Sequence, residues 1–264
     1  MRFVLGGKDT EMNEIAKILA TTSYSVVYAK IGESRVNRSE AYDATYPKPE
    51  PYDVWVECAP SGYTKLEMYS LGIDLVDHHQ PGDFGYSMSH KQYWEASSIG
   101  QVCNRLGIPR TQRLSYIAAA DHCLLPAYHE QCPGIDREGF LAFRMDFMKQ
   151  FEPEPLKYLK NLHHKALKFP IINMLGTKVH DVSSLGGKDR KWLSDMSCCY
   201  GMKTVSISQK SNRYKMFVSN LSVDEIDTFC QEYAPSLGKV INVYGDPKRQ
   251  FAAAVIEGSY VRED

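Results

Sequence analysis

The chain has 264 residues, of which 43% are hydrophobic, so it can bury one large core or two smaller ones, and we expect two domains. Its formal net charge of -1 argues against the broad basic surface that binds long duplex nucleic acid, but leaves a short or single-stranded substrate open. The sequence has no apolar run of membrane length and no signal-peptide pattern at its start, which predicts a soluble, cytoplasmic protein without a membrane partner.

The first half of the chain alternates between apolar strands and helical patterns. Strands are predicted at 2–5, 24–31, 53–57 and 73–76. A glycine turn and a helix follow the first strand, and helical patterns lie between several of the others. A parallel sheet with crossover helices is the simplest fold for this pattern, so the predicted fold class is α/β.

The second half begins with helices and ends with another α/β pattern. Helices are predicted at 93–106 and 112–128, followed by a charged helical stretch over 136–169. The later elements are strands at 171–174, 204–208, 214–219, 240–243 and 251–256, and helices around 192–199 and at 223–233. We therefore expect an N-terminal α/β domain over 1–135, a helical linker over 136–169 and a smaller C-terminal α/β domain over 170–264.

Acidic and imidazole side chains follow several of the predicted elements. The clearest group is Asp77-His78-His79, directly after the apolar run 73–76; Asp9, Glu57 and Asp121-His122 also lie where strands or helices should end. Strand ends of a parallel sheet share one edge, so these groups could converge and hold one or two divalent cations. The alternative is that the two histidines are ordinary surface residues at a turn.

The N-terminal half resembles the DHH phosphoesterase superfamily over roughly residues 1–130. The resemblance depends on Leu75-Val76-Asp77-His78-His79 and on the run 96–108, which leads into Ala118-Ala119-Ala120-Asp121 and is similar to the helical segment between the family's third and fourth motifs. The resemblance implies a DHH-like domain over 1–135 that hydrolyses phosphodiesters or pyrophosphate. It also implies Mn²⁺, or another divalent cation such as Mg²⁺ or Zn²⁺, as the cofactor.

The resemblance also assigns roles to individual residues. It implies that Asp77 and His78 are metal ligands and that Asp121 completes the metal site. His79 would bind the metal or contact the phosphate, and Asp77 and His79 would be the catalytic residues. Glu57 takes the place of the aspartate in the family's second motif.

The first motif departs from the family pattern. The family has a histidine and two aspartates there, whereas this chain has Lys8-Asp9-Thr10-Glu11 and no histidine. Asp9 can replace one aspartate as a metal ligand, while Glu11 either replaces the other or is a favourable acidic residue in the first turn of a helix. Lys8 could contact phosphate oxygens of the substrate. These changes leave open a rearranged two-metal site, a single-metal site, or a fold that has lost its hydrolytic activity.

The family's usual glycine-rich C-terminal motif is not found, and the best candidate for substrate binding in this region is a basic turn. Lys248 and Arg249 follow Tyr244-Gly245-Asp246-Pro247 between two predicted strands. Arg249 could bind a phosphate through two parallel hydrogen bonds. The alternative is a solvated turn.

The leading hypothesis is a metal-dependent phosphohydrolase of phosphodiesterase type. Its expected partner is a small nucleotide, a dinucleotide or a short single-stranded oligonucleotide, bound in a cleft between the two domains. The second hypothesis is a protein that binds or sequesters a nucleotide without cleaving it, and the third is an enzyme of different chemistry that reuses the metal pocket. A homodimer is a candidate assembly.

Overall fold

The computed structural model describes residues 1–38, 40–86, 88–210, 212–247 and 250–259 as a mixed α/β protein. The chain divides into two compact units: unit 1 contains Met1–Cys123 and Gln131–Ile135, and unit 2 contains Leu124–Glu130 and the chain from Asp136 onward. Among the described residues, no helix is both long enough and apolar enough to cross a membrane.

Unit 1 is built around a parallel sheet. Its strands are β1 (Arg2–Leu5), β2 (Ser25–Tyr28), β3 (Lys30–Ile31), β4 (Ser34–Arg35), β5 (Val54–Val56) and β6 (Asp74–Val76). Its helices are α1 (Thr10–Ala20), α2 (Lys65–Ser70), α3 (Tyr93–Ala96), α4 (Ser98–Leu106) and α5 (Gln112–His122). The sheet has the order β2-β1-β5-β6, while β3 and β4 form a separate antiparallel hairpin.

The register of this sheet brings three strand ends together. Leu5 pairs with Val56, and Val56 pairs with Val76, and each of them is the last residue of its strand. These strands are short and almost wholly apolar because a parallel sheet is covered on both faces; Val4 and Trp55, for example, are fully buried. The residues that follow β1, β5 and β6 therefore leave the sheet side by side at its carboxyl edge.

The predicted strands at 2–5, 53–57 and 73–76 are confirmed. The first has the predicted bounds, the second is one residue shorter at each end, and the third begins one residue later. The prediction of one strand over 24–31 is wrong, because β2 ends at Tyr28 and the chain continues into the β3–β4 hairpin. Gly32, with φ of 58°, provides the left-handed position that turns this hairpin.

The helices predicted at 93–106 and 112–128 are each two helices. Ser97 is extended and its hydroxyl accepts the amide hydrogen of Gly100, so it caps α4 and separates it from α3. Cys123, with φ of -149° and ψ of 57°, ends α5 before the next helix begins at Leu124. A capping residue in one case and a non-helical residue in the other thus break the helix, although the apolar periodicity of the sequence continues across both breaks.

Unit 2 combines a sheet with seven helices of the described chain. The helices are α6 (Leu124–Tyr128), α7 (Arg137–Met148), α8 (Pro155–Ala166), α9 (Gly187–Lys191), α10 (Leu193–Tyr200), α11 (Val223–Thr228) and α12 (Ala234–Ser236). The strands are β7 (Ile171–Met174), β8 (Thr177–Asp181), β9 (Thr204–Lys210), β10 (Arg213–Ser219), β11 (Val240–Asp246) and β12 (Phe251–Glu257). The sheet order is β11-β12-β10-β9-β8-β7, antiparallel except between β8 and β9.

Two cores stabilise unit 2. One lies under the sheet and includes Met216 and Phe229. The other joins α7 and α8 to α10 through side chains such as Met148, Leu159 and Met196. The stretch 136–169 is therefore helical, as predicted, and it packs its apolar face within unit 2.

Ser222 and Glu225 form a capping box at the start of α11. The single helix predicted over 223–233 is wrong in detail, because α11 ends at Thr228 and a π-helical turn, Phe229–Tyr233, separates it from α12.

Candidate metal centre

Four side chains from three separate segments meet at the carboxyl edge of the parallel sheet. Glu57 follows β5, His78 and His79 follow β6, and Asp121 lies in the last turn of α5. One possible ligand atom from each lies within 4.8 Å of the others. This group of two carboxylates and two imidazoles could bind a divalent metal ion.

Two atoms in this group are buried without a hydrogen-bond partner. His78 Nε2 lies 2.9 Å from Asp121 Oδ2 and 3.4 Å from Glu57 Oε1. The alignment at neither contact makes a hydrogen bond, so His78 Nε2 and Glu57 Oε1 both remain unsatisfied. Such atoms are costly to bury unless something binds them. A nitrogen and carboxylate oxygens that converge in this way fit a divalent cation.

The carboxyl groups around this centre are too crowded for all of them to ionise easily. Burial, followed by the charges of Glu57 and Asp121, raises the pKa of Asp9 to about 6. Burial and the same two charges raise the pKa of Glu11 well above its usual range. The excess of negative charge favours a cation at this edge.

Glu57 itself stays ionised although burial alone would raise its pKa. The charge of His79 and the contact with His78 outweigh that burial and lower the pKa of Glu57 to about 2. The effect on His78 is reciprocal, because Asp121 and Glu57 outweigh burial and raise its pKa to about 9. The centre is thus a charge-paired group in which a metal ion would compete with the proton on His78.

The backbone around the centre is unusually constrained. Glu57 has φ of 50°, in the left-handed region that a residue with a side chain rarely occupies. Gly85 lies against the same site, where an added Cβ would approach within 2.7 Å of His78 Cβ and 2.1 Å of Ala96 O. Only glycine fits at this close approach, which fixes His78 between the loop and α3.

Asp77, predicted as a metal ligand, is not among the four converging side chains and instead makes hydrogen bonds to two of those residues and to Tyr42. Its Oδ1 accepts from the amides of His78 and His79 at 2.7 and 3.0 Å and contacts His79 Nδ1 at 2.9 Å. Its Oδ2 accepts from the hydroxyl of Tyr42 at 2.8 Å. Both oxygens are therefore engaged, and the carboxylate orients the two histidines.

Asp9 lies beside the cluster with its own partners. Its Oδ1 caps α1 by accepting from the amide of Met12 at 2.7 Å, and its Oδ2 is 3.1 Å from Arg38 Nη2. Glu11, for which two roles were open, is 1% exposed and accepts from the amide of Ile99 at 2.9 Å. Glu11 therefore lies in the first turn of α1, as one of the two interpretations had it, but its side chain is buried next to Glu57 rather than exposed.

Lys8, Lys248 and Arg249 were the other residues predicted to contact the substrate. Lys8 is exposed and lines a depression described below. Lys248 and Arg249 lie outside the described residues.

Three residues near the centre were not predicted as site residues from sequence. Tyr42 donates to Asp77, Arg38 lies against Asp9, and the ring of His122 lies against that of His78. The sequence placed His122, beside Asp121, among the groups that could converge, but it assigned no role to its side chain. The other two lie in the segment after β4, which carries no motif.

No protein-family model matches the chain, and no curated protein matches it.

Proposed function

We propose that unit 1 is a DHH-type, metal-dependent phosphohydrolase that acts on a small nucleotide, a dinucleotide or a short oligonucleotide. The observation that carries the proposal is the convergence of Glu57, His78, His79 and Asp121 within 4.8 Å, with His78 Nε2 buried and unsatisfied. The family resemblance of the Asp77-His78-His79 segment supports the same reaction class. The position of this segment after a parallel strand is consistent with it.

Three side chains of the cluster are suited to binding the metal ion. Glu57, His78 and Asp121 would hold the cation, for which Mn²⁺, Mg²⁺ and Zn²⁺ are candidates with these nitrogen and oxygen donors. When bound, a divalent cation lowers the pKa of water and neutralises charge on phosphoryl oxygens.

His79 is suited to the substrate itself. Its side chain is 35% exposed, and Asp77 contacts its Nδ1, which leaves Nε2 available. Burial would lower its pKa, but the charge of Glu57 and the hydrogen bond with Asp77 outweigh this and raise it. A protonated His79 would donate a hydrogen bond to a phosphate oxygen.

The test combines metal uptake with hydrolysis. Wild-type protein, stripped of metal and titrated with Mn²⁺ by calorimetry, should bind it and should cleave 5′-phosphorylated dithymidine only in its presence. Asp121→Asn should lose most of the uptake and activity. Asp74→Asn is the matched control, because Asp74 begins β6 at the opposite edge of the sheet and pairs there with Arg105. Equal uptake by the wild type and Asp121→Asn would refute the proposed centre.

One observation favours a second function, a nucleotide-binding protein without hydrolysis. Arg38 Nη2 lies 3.1 Å from Asp9 Oδ2 and 3.9 Å from Asp121 Oδ1, so a guanidinium already neutralises part of the acidic edge. A protein of this kind would bind 5′-phosphorylated dithymidine equally with Mn²⁺ and with EDTA, and would return it uncleaved.

A further inference from the structure

A basic depression lies at the same edge of unit 1 as the candidate metal centre. It has a volume of about 640 Å³ and is lined by Lys8, Arg35, Val36, Asn37 and Arg38. Three of these five residues are cations, and none is acidic. Because the chain as a whole has a net charge of -1, this concentration of positive charge is a local feature.

Arg35 is held in one orientation at this depression. Its Nε donates to the carbonyl oxygen of Gly6 at 2.8 Å, and its guanidinium carbon lies 4.1 Å from the centre of the Tyr28 ring. Its Nη2 is buried without a hydrogen-bond partner. A fixed guanidinium with an unused donor is prepared to bind an anion at low entropic cost.

Arg38 connects the depression to the candidate metal centre. Its side chain is 70% exposed, and its Nη2 reaches both Asp9 and Asp121. An anion held by Arg38 in the depression would therefore lie within one side-chain length of the carboxylates that surround the centre.

We propose that Lys8, Arg35 and Arg38 form a subsite for a second phosphate of the substrate, next to the phosphate that reacts at the metal centre. The inference rests on the proposed function and narrows its substrate class to nucleotides with at least two phosphate groups, such as a dinucleotide with a terminal phosphate. A terminal phosphate carries more charge than a phosphodiester and accepts several hydrogen bonds, which suits three converging cations.

The experiment compares two ligands that differ by this phosphate. Calorimetry with EDTA present, so that nothing is cleaved, would measure the binding of 5′-phosphorylated dithymidine and of unphosphorylated dithymidine. The wild type should prefer the phosphorylated ligand by about tenfold or more. Lys8→Ala/Arg38→Ala should bind the two ligands within about twofold of each other.

The matched control removes the same charge elsewhere on unit 1. Lys17 and Arg113 both pair with Glu14, within α1 and at the start of α5 respectively. Lys17→Ala/Arg113→Ala should keep the wild-type preference if the subsite is local. Arg35→Lys, which keeps the charge and removes the forked donor, should reduce the preference without unfolding unit 1.

The outcomes separate this inference from the proposed function. Equal binding of both ligands by the wild type would overturn the subsite. An unchanged preference for the phosphorylated ligand in Lys8→Ala/Arg38→Ala would also overturn it, as would an equal loss of that preference in Lys17→Ala/Arg113→Ala. Mn²⁺ uptake by the same variants reports on the metal centre. Retained uptake with no phosphate preference would refute only the subsite, whereas absent uptake in the wild type would refute the proposed function.

Discussion

The Nδ1 atoms of His78 and His122 lie 3.1 Å apart in the interior of unit 1. His122 Nε2 is 3.1 Å from the carbonyl oxygen of Met88, which can only accept a hydrogen bond, so this nitrogen carries the proton. In neutral His122, Nδ1 is then an acceptor, and His78 Nδ1 must donate to it. The contact therefore directs His78 Nε2 towards Glu57 and Asp121, as a metal ligand requires.

His122→Phe should weaken Mn²⁺ binding by about 10- to 100-fold, because the phenyl ring removes the acceptor that orients His78. Calorimetric titration with Mn²⁺ measures the effect, and thermal unfolding checks that the variant is folded. His90→Phe, on the short turn His90–Gln92, is the control and should bind Mn²⁺ like the wild type. Unchanged affinity in a folded His122→Phe protein would mean that the ring packs without orienting its neighbour.

Asp77→Asn should lower the free energy of unfolding by about 1–3 kcal/mol, because the amide nitrogen cannot accept the hydrogen bonds that the buried carboxylate receives. Tyr42→Phe removes one of those bonds and should cost less, about 1 kcal/mol. Urea unfolding of both variants gives the comparison.

The Asp77→Asn variant also distinguishes an orienting role of Asp77 from direct binding of the metal by its carboxylate. An orienting Asp77 requires that stability and Mn²⁺ affinity fall together in Asp77→Asn. Complete loss of Mn²⁺ binding with wild-type stability would instead make Asp77 a direct ligand.

The residues of the candidate centre were largely predictable because they follow from topology. Glu57 and His78 directly follow strands, and parallel strands end at one edge. The direction of the Asp77 side chain was not predictable, because it depends on hydrogen bonds to its own following amides and to Tyr42. Arg38 was missed for another reason: it follows the β3–β4 hairpin, beyond the strand predicted over 24–31, in a segment that carries no motif.

The turn that leads into strand β8 of unit 2 was likewise not predictable from the sequence. Leu175 and Gly176, both with positive φ, form the two-residue turn between β7 and β8. Asn or Asp before Gly is the usual signature of such a turn, and leucine is not. The hairpin is therefore stabilised by strand pairing and packing in spite of an unfavourable turn residue, which sequence patterns do not indicate.

A buried ion pair in unit 2 should contribute strongly to the stability of the protein. Arg144 binds Asp195 through two parallel hydrogen bonds of 2.8 Å, and the Tyr128 hydroxyl donates to the same carboxylate at 2.9 Å. Arg144→Met should destabilise the protein by about 3–5 kcal/mol, because Asp195 is left buried and uncompensated. Chemical denaturation followed by circular dichroism measures the change.

The double variant Arg144→Met/Asp195→Leu should recover much of that loss, because it removes both charges. Lys149→Met is the control: its exposed pair with Asp146 spans 3.9 Å, and its removal should leave stability unchanged. A small effect of Arg144→Met on its own would mean that water reaches Asp195.

The capping box of α11 makes the stability of unit 2 depend on pH through Glu225. Burial would raise the pKa of Glu225, but the hydrogen bonds from Lys203 and from the amide of Ser222 outweigh it, so the pKa lies below its usual value of 4.5. A depressed pKa means that the ionised form is favoured in the folded state. This stabilisation is fully present above pH 4.5 and is lost as the pH falls through the folded-state pKa.

Glu225→Gln keeps an oxygen that can accept from the Ser222 amide but removes the charge beside Lys203. At neutral pH the variant should be less stable than the wild type by on the order of 0.5–1 kcal/mol. The difference should close as the pH is lowered, because the wild-type carboxylate is then protonated as well. Unfolding titrations across the acidic range measure this, with Glu232→Gln, at an exposed position, as the control. A difference that stays constant with pH would assign the effect to the hydrogen bonding and packing of the amide rather than to the charge of Glu225.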